Sequence, residues 1–376
     1  MSVVRRQARR RWLAVACGVA LLCGLPAIIA AWPVPDSSLS AAALRSRILS
    51  SGSVPYSGYA ESSVSLGLPN VPDLGDVTTL LDGNTDQYAW YLSADQWRSE
   101  VITTGGESDT YQTSYGTFLW DYSRSLLTTV LGSQPFRLPR AADLLPTELA
   151  RRLLSYASPA DHISRLPSQR IAGVDAAGLR VVPASPMTTI GAIEVWADPA
   201  NGLPIEVSVT GRGGSQQVLA ARFFDLNESR PSVADLSPNP APGVAQTTTE
   251  LPDIRVFLNG FGPQLPDQLA GVRQAASTSG LADIATYGSG FSRFAVVPLP
   301  HETGDHAVDG ALGVGTPRLN FPGTISTEIQ TPLINAVLVQ PLGGRGPVYM
   351  LVGTVAASEL VKSASALLTD VRSQQP

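Results

Sequence analysis

Residues 88–131, YAWYLSADQWRSEVITTGGESDTYQTSYGTFLWDYSRSLLTTVL, decide the fold of this chain. Large apolar residues alternate here with polar ones, and short breaks rich in serine, aspartate and glycine interrupt the alternation. A period of two puts successive side chains on opposite faces of a strand, and such breaks are typical of tight turns. The pattern therefore predicts a meander of antiparallel strands. The predicted strands are centred on residues 88–92, 97–101, 109–115, 118–122 and 127–131.

Further elements are predicted on both sides of this meander. A helix is expected over residues 41–48 behind Ser40, an N-cap candidate, and a strand follows over 56–66. An apolar stripe at helical spacing predicts a second helix over 146–156. Later strands are predicted over residues 169–174, 179–182, 190–197, 205–210 and 217–225. The last of these strands is expected at an edge of the sheet.

Together these elements predict an α+β fold. One helix before the meander and one after it can cover one face of a strongly curved antiparallel sheet, which gives an open half-barrel with a helical lid. The concave face of this sheet is then expected to be apolar.

The aromatic residues of the meander are the candidate binding site. Nine of the chain's 25 aromatic residues lie within residues 88–122. Two interpretations are open: the rings line a lipid pocket, or they pack beneath the helices. The candidate ligand-binding residues, chosen because each lies on an alternating strand, are Trp90, Trp97, Val101, Phe118, Trp120, Ile193, Val195, Ile205 and Val207.

One motif resembles a known family. Residues 193–209, IEVWADPANGLPIEVSV, read as a hairpin, because Asp198 and Pro199 start a turn and Gly202 supplies positive φ. This strand-turn-strand motif and the hairpins of residues 98–123 resemble the LolA/RseB superfamily, the extracytoplasmic lipoprotein-carrier fold. The resemblance implies a LolA-like half-barrel over about residues 40–229.

A second domain is predicted after a proline-rich linker. Residues 230–252 contain several prolines and show neither helical nor strand periodicity. Beyond them, the stretches 265–272 and 287–291 resemble the C-terminal domain of RseB-like proteins, so a small α+β domain is expected over 253–376. The resemblance implies a regulator that contacts a membrane anti-sigma factor.

The N-terminus predicts export. Five arginines are followed by the twenty uncharged residues 12–31, which at about 1.5 Å per residue can cross a hydrocarbon core of about 30 Å. Residues 1–31 are either a cleaved signal peptide or, as we favour, a single membrane anchor; the positive-inside rule then leaves the body outside the cytoplasm. Because Cys17 and Cys23 both lie in this segment, the exported body has neither disulfides nor cysteine-based metal sites.

Composition excludes one class of function. The 376 residues carry 26 basic and 31 acidic side chains, a net charge of −5. Without the five N-terminal arginines the balance is 21 basic to 31 acidic, or −10. An acidic body argues against nucleic acid as a partner, since phosphate contacts need a concentrated basic face.

Catalytic signatures are absent from the sequence. It contains no Gly-x-Ser-x-Gly elbow, P-loop or dinucleotide fingerprint. Residues 301–306, HETGDH, place two histidines five apart, and the neighbouring prolines and Gly304 oppose a helix, so a solvated polar loop is expected there. His162 is expected at the surface beside a helix. The sequence thus predicts a protein that is not an enzyme and needs no metal or cofactor.

Three functional hypotheses follow. The first is a membrane-associated envelope protein that binds a lipid or an acylated lipoprotein, as carrier or sensor, and buries acyl chains at about 0.8 kcal/mol per methylene. The second is a regulator whose C-terminal domain binds a membrane protein such as an anti-sigma factor. The third, an envelope hydrolase using His162, His301 or His306, is disfavoured by the missing machinery.

Overall fold

The computed structural model describes most of the chain after the N-terminal segment. The described residues are 12, 13, 15–19, 33–68, 75–103, 105–132, 139–250, 265–275, 285–343 and 346–374. Most of the predicted signal or anchor segment therefore lies outside them. Among the described residues, no helix combines the length and the apolar character needed to cross a bilayer.

Among the described residues from 33 to 250, the chain builds one large sheet and three α-helices. In chain order the elements are α1 (Ala41–Ser50), β1 (Tyr56–Ser65), α2 (Gly75–Leu81), β2 (Asp82–Ser93), β3 (Gln96–Thr103), β4 (Gly106–Thr113), β5 (Gly116–Asp121), β6 (Leu126–Leu131), α3 (Pro146–Tyr156), β7 (His162–Ile171), β8 (Val174–Val182), β9 (Ile190–Ala197), β10 (Pro204–Gly211), β11 (Gln217–Asn227) and β12 (Ala245–Glu250). The predicted helices and the five-stranded meander β2–β6 are confirmed. The fold is α+β with a large curved, unclosed antiparallel sheet, as predicted.

Strand order explains how the sheet is assembled. The twelve strands run β12-β6-β5-β4-β3-β2-β1-β11-β10-β9-β8-β7. Strand β1 pairs with β2 on one side and with β11 on the other, so it joins the meander to the second run of strands. The prediction of β11 as an edge strand is wrong, because β11 pairs with both β1 and β10.

Predictions for one strand, for His162 and for the linker also need correction. The predicted strand over residues 169–174 spans a turn, where Ala172 and Gly173 both have positive φ. The strand before that turn is β7, and the exposed His162 lies at its start rather than beside a helix. In addition, the predicted linker contains β12, which pairs in parallel with β6. Main-chain pairing with β6, rather than side-chain burial, holds this strand in place, since its described side chains are exposed and carry no apolar pattern.

Helices α1 and α3 cover one face of the sheet. Ser40 caps α1 by accepting a hydrogen bond from the Ala43 N–H at 3.2 Å, as its residue type predicted. Leu44 and Ile48 of α1, Leu154 of α3 and several apolar residues of β8–β11 share one buried cluster. Burying such side chains stabilises the fold by about 1.5–3 kcal/mol each, so this layer contributes much of its stability.

The hairpin of β9 and β10 packs closely against α1. Gly202, in its turn, has a φ of +81° and donates a hydrogen bond to the Asp198 carbonyl at 2.8 Å. A Cβ at this position would lie 2.4 Å from the Arg47 carbonyl oxygen. The Arg47 side chain donates a hydrogen bond to the Pro199 carbonyl, which holds the helix against the turn.

A second, smaller sheet follows. The elements of this part of the chain are β13 (Gln268–Leu269), β14 (Val272–Arg273), β15 (Ala285–Ser289), β16 (Ser292–Leu299), α4 (His301–Gly313), β17 (Arg318–Leu319), β18 (Thr324–Ile329), β19 (Asn335–Pro341), β20 (Val348–Gly353) and α5 (Ala357–Gln374). The six strands run β15-β16-β20-β19-β18-β17, and β13 and β14 form a separate ribbon. Helix α5 packs with Val337 and Leu351, whereas α4 packs with Leu338 and Val348, so the two helices cover opposite faces.

Helix α4 corrects one sequence prediction. Residues 301–306 were expected to form a polar loop, but they form the first turns of this helix behind Pro300. Proline is tolerated before the first turn because the first N–H groups of a helix have no intrahelical partner. Gly304 is required by packing, since a Cβ there would lie 2.3 Å from the Val348 Cβ.

Gly202 offers a test of the contact between the hairpin and α1. We expect Gly202→Ala to lower the free energy of unfolding by more than the roughly 1–3 kcal/mol of backbone strain, because the Arg47 carbonyl leaves no room for a methyl group. Gly213→Ala is the matched control: its φ is +78°, and nothing lies within 4 Å of its added Cβ. Urea unfolding of both variants measures the difference, and equal losses would contradict the close contact.

Candidate functional site

A cavity lies between the turn that joins β2 to β3 and the chain that leads into α3. Its volume is about 330 Å³, within the range of about 300–1,000 Å³ typical of small-molecule sites. The aromatic part of its wall consists of Tyr56, Trp90, Tyr91 and Trp97. The charged part consists of Arg98, Arg140, Arg151, Arg152, Asp143 and Glu148. The cavity therefore combines ring faces with an excess of positive charge.

Two tyrosines are fixed rigidly in its aromatic wall. The rings of Tyr56 and Tyr91 stack with their centroids 5.2 Å apart. The Tyr56 hydroxyl and the Thr147 hydroxyl share a hydrogen bond of 2.7 Å, and Tyr91 donates to the Gly52 carbonyl at 2.6 Å. Burial raises the pKa of both tyrosines, so their hydroxyls stay protonated and serve as hydrogen-bond donors.

Two arginines lie over tryptophan rings, one on each face of the sheet. The guanidinium carbon of Arg140 is 5.0 Å from the ring centroid of Trp97, and that of Arg98 is 4.5 Å from the centroid of Trp90. Such cation–π contacts orient a guanidinium while leaving its edge available to an anion.

Two ion pairs hold further arginines of this wall. Arg151 pairs with Glu148, and Arg152 pairs with Asp143 at 3.3 Å. On the helix-covered side the cavity carries three arginines, Arg140, Arg151 and Arg152, and two carboxylates, so an anionic group is electrostatically favoured there. The Arg98 guanidinium is held on the other face by Glu100 and Asp109.

The nine predicted ligand-binding residues do not share one surface. Trp90 is directly opposite Arg98 in the sheet, and Arg98 is opposite Tyr111, which is opposite Phe118. Directly opposed residues lie on the same face, so Trp90, Phe118 and, two residues along its strand, Trp120 lie on one face. Trp97 and Val101 alternate with Arg98 and lie on the other, helix-covered face.

The remaining four predicted residues are core residues. Ile193, Val195, Ile205 and Val207 are fully buried beneath the helices. The helix-covered face is also less apolar than expected, because Gln87 is buried there and accepts a hydrogen bond from Ser99 at 3.1 Å. Of the nine residues, Trp90 and Trp97 line the cavity. A role of the other seven in ligand binding stays a prediction.

The opposite face of the meander carries a buried charged network. The Asp109 side chain is fully buried, and its Oδ2 atom accepts hydrogen bonds from Tyr111 and Tyr122 at 2.8 and 3.2 Å. The Nη2 atom of Arg98 lies 2.9 Å from the same Asp109 oxygen and 2.7 Å from Oε2 of Glu100. Burial raises the pKa of Glu100, and Arg98 opposes this rise.

Sequence reasoning missed the charged part of the cavity. Arg140, Arg151 and Arg152 lie on the segment that leads into α3 and on α3 itself, about 50 residues from Trp97. Only the stacking of that segment against the end of β2 and β3 brings them to the rings. A local signal did exist, because Arg151 and Glu148 form an i,i+3 pair on the predicted helix.

The fold and the cavity together define a class: an open, curved β-sheet protein with helices on one face and an aromatic, arginine-lined cavity at their border. Among solved structures, the chain is similar to MucB in the Pseudomonas aeruginosa MucA/MucB complex, with 16% identity, a TM-score of 0.48, and 87% of this chain and 97% of that chain covered. It is also similar to a LolA superfamily protein from Nitrosomonas europaea, with 10% identity, a TM-score of 0.24, and 54% and 99% covered. No family model and no curated protein matches the chain.

The hydroxyl pair beneath the cavity yields a stability prediction. Tyr56 and Thr147 are both fully buried, so Tyr56→Phe or Thr147→Val alone leaves a buried hydroxyl without its partner. We expect each change to cost about 1–3 kcal/mol, and the double variant to cost less than the sum, because both hydroxyls are then gone. Urea unfolding measures the cycle, with Tyr59→Phe as a control, because the Tyr59 hydroxyl donates to Glu61 at an exposed position. Additive losses would show that the two hydroxyls are not coupled.

Proposed function

We propose that this protein is a non-enzymatic, extracytoplasmic binding protein of the cell envelope that takes up a lipid or the acyl chains of a lipoprotein. The observation that carries the proposal is the cavity of about 330 Å³, which joins the rings of Tyr56, Tyr91 and Trp97 to three arginines, Arg140, Arg151 and Arg152. An amphiphile with an apolar chain and an anionic group matches both parts of that wall.

The apolar chain is stabilised by the rings. Each methylene removed from water contributes about 0.8 kcal/mol, and Tyr56, Tyr91 and Trp97 offer a wall that is already ordered by stacking and hydrogen bonds. Little conformational freedom is lost from the protein on binding, which favours affinity.

The anionic group is stabilised by the arginines. A guanidinium presents paired N–H donors that match the oxygens of a phosphate or a carboxylate. Arg151 is about seven-eighths buried, and its Nη1 atom has no hydrogen-bond partner among the described residues. An oxygen of the ligand would supply that partner.

The proposal includes a location. The arginine cluster and apolar run of residues 5–31 support export, with the sheet and its cavity outside the cytoplasm. A carrier and a sensor both fit this placement.

A regulator that holds a membrane protein, such as an anti-sigma factor, is the second candidate function. It is supported by the attachment of the second sheet to the first: the buried Thr188 hydroxyl lies 2.8 Å from the Phe291 carbonyl and 2.9 Å from the Thr354 carbonyl. A partner bound to the second sheet would therefore meet a surface held firmly to the lipid-binding sheet. Stoichiometric co-purification of one membrane protein with a lipid-free full chain would favour this candidate.

Binding is tested with the full chain, purified in mild detergent, and a series of alkyl phosphates. We expect Trp97→Ala and Arg151→Gln each to weaken binding at least about tenfold, which is 1.4 kcal/mol, by removing a ring or a guanidinium from the wall. Arg124→Gln is the matched control, because the Arg124 side chain is 78% exposed and lies outside the cavity. Isothermal titration calorimetry gives the affinities, and native mass spectrometry shows any lipid carried through purification. A chain that carries no lipid and binds no alkyl phosphate would refute the proposal.

Varying the chain length and the charge of the ligand distinguishes the contribution of the rings from that of the arginines. We expect affinity to rise about fourfold per added methylene, the equivalent of 0.8 kcal/mol, until the chain fills the cavity. Alkyl glucosides of equal length, which lack the anion, should bind more weakly to the natural chain. The affinity of the alkyl glucosides should also change little in the Arg151→Gln variant. Affinity independent of both length and charge would point to nonspecific adsorption.

A further inference from the structure

Three carboxylates converge on the face of the meander that the helices leave uncovered. Glu100 lies on β3, and Glu107 and Asp109 lie on β4. One oxygen from each can be chosen so that all three lie within 4.8 Å of one another. They are separated in sequence by the β3–β4 turn, and antiparallel pairing of the two strands brings them together.

Asp109 supplies an independent observation that favours a ligand at this cluster. Its side chain is fully buried, and its Oδ2 atom already accepts hydrogen bonds from two tyrosines and contacts Arg98. Its Oδ1 atom is buried too, yet no described residue donates a hydrogen bond to it. An unsatisfied buried carboxylate oxygen is costly, so a native structure normally gives it a partner.

Charge balance points to the kind of partner. The cluster holds three carboxylates, and Arg98, at 2.7 Å from Glu100 and 2.9 Å from Asp109, is the guanidinium in contact with them. If all three are ionised, one positive charge leaves a net charge of about −2. A divalent cation would neutralise this excess while using the oxygens that Arg98 does not contact.

Ligand chemistry narrows the choice of cation. The donors are all carboxylate oxygens, which hard cations prefer, and no nitrogen or sulfur ligand belongs to the cluster. The three oxygens lie within 4.8 Å of one another, close enough for one cation to contact them all. Ca²⁺ accepts irregular sets of carboxylate oxygens, whereas Mg²⁺ demands near-octahedral geometry and keeps several waters. Water can complete the six to eight ligands of Ca²⁺, because Glu107 is only partly buried.

We propose that Glu100, Glu107 and Asp109 form a calcium-binding site that joins β3 to β4. This site lies on the face of the meander opposite to Trp97 and α3, so it does not depend on lipid binding in the cavity. Its structural effect would be to fix the two strands that also position Arg98.

The experiment uses the full chain after treatment with a chelator, titrated with Tb³⁺ and then with Ca²⁺. Tb³⁺ occupies calcium sites, and the rings of Tyr111 and Tyr122, whose hydroxyls contact Asp109, would sensitise its luminescence. We expect luminescence that Ca²⁺ displaces, and a Tm that rises with added Ca²⁺ because the cation binds only the folded state.

Variants assign the signal to the site. Glu107→Gln should weaken Ca²⁺ binding at least about tenfold, and because Glu107 is partly exposed the variant should still fold. Glu61→Gln is the matched control, since Glu61 is an exposed carboxylate of β1 outside the cluster. Circular dichroism verifies that both variants are folded. The proposal is overturned if Ca²⁺ neither displaces Tb³⁺ nor raises the Tm, or if Glu107→Gln binds Ca²⁺ as tightly as the natural chain.

Discussion

The pairing of β1 on both of its edges is the constraint on which the architecture depends. One edge carries the meander through β2, and the other carries β11 and the strands that follow it. Tyr56, Ala60 and Val64 of β1 are buried on the helix-covered face, so the strand is held by side chains as well as by main-chain hydrogen bonds. Without this strand the two runs would be separate sheets, and α1 and α3 would have no common surface to cover.

The cavity is a consequence of the same arrangement. It forms where the helix-covered core ends and the last turn before α3 meets the strand ends of β2 and β3. Deeper in the core, Ile193 and Val207 fill the space beneath the helices completely, whereas at the border the stacked rings and arginines leave room. The cavity therefore lies at the edge of the half-barrel rather than along its whole inner face.

Local sequence signals predicted the elements well. The alternation in residues 88–131 identified the meander, and Ser40 and the apolar stripe of residues 146–156 identified the two main helices. Partners distant in the chain were not predictable in this way. Nothing in β11 itself shows that it pairs with β1, and nothing in the polar β12 shows that it pairs at all.

The candidate site was predicted less completely, for a related reason. Alternation shows that Trp90 and Trp97 lie on strands, but the face of each depends on the register across a turn, where a shift of one residue reverses the assignment. The structure places them on different faces, with six residues and one turn between them. Likewise, the carboxylates of β3 and β4 become neighbours only through their pairing.

The polar strand β12 also has a consequence for how the molecule behaves at high concentration. An uncovered β6 would offer the hydrogen-bonding edge of a strand rich in leucine and valine, LLTTVL, to any other extended chain. Instead β12 occupies that edge with a run of threonines and ends in Glu250. A parallel strand needs a long connection, and the proline-rich stretch before it belongs to that connection. What composition alone marks as a spacer thus protects the sheet against edge-to-edge aggregation.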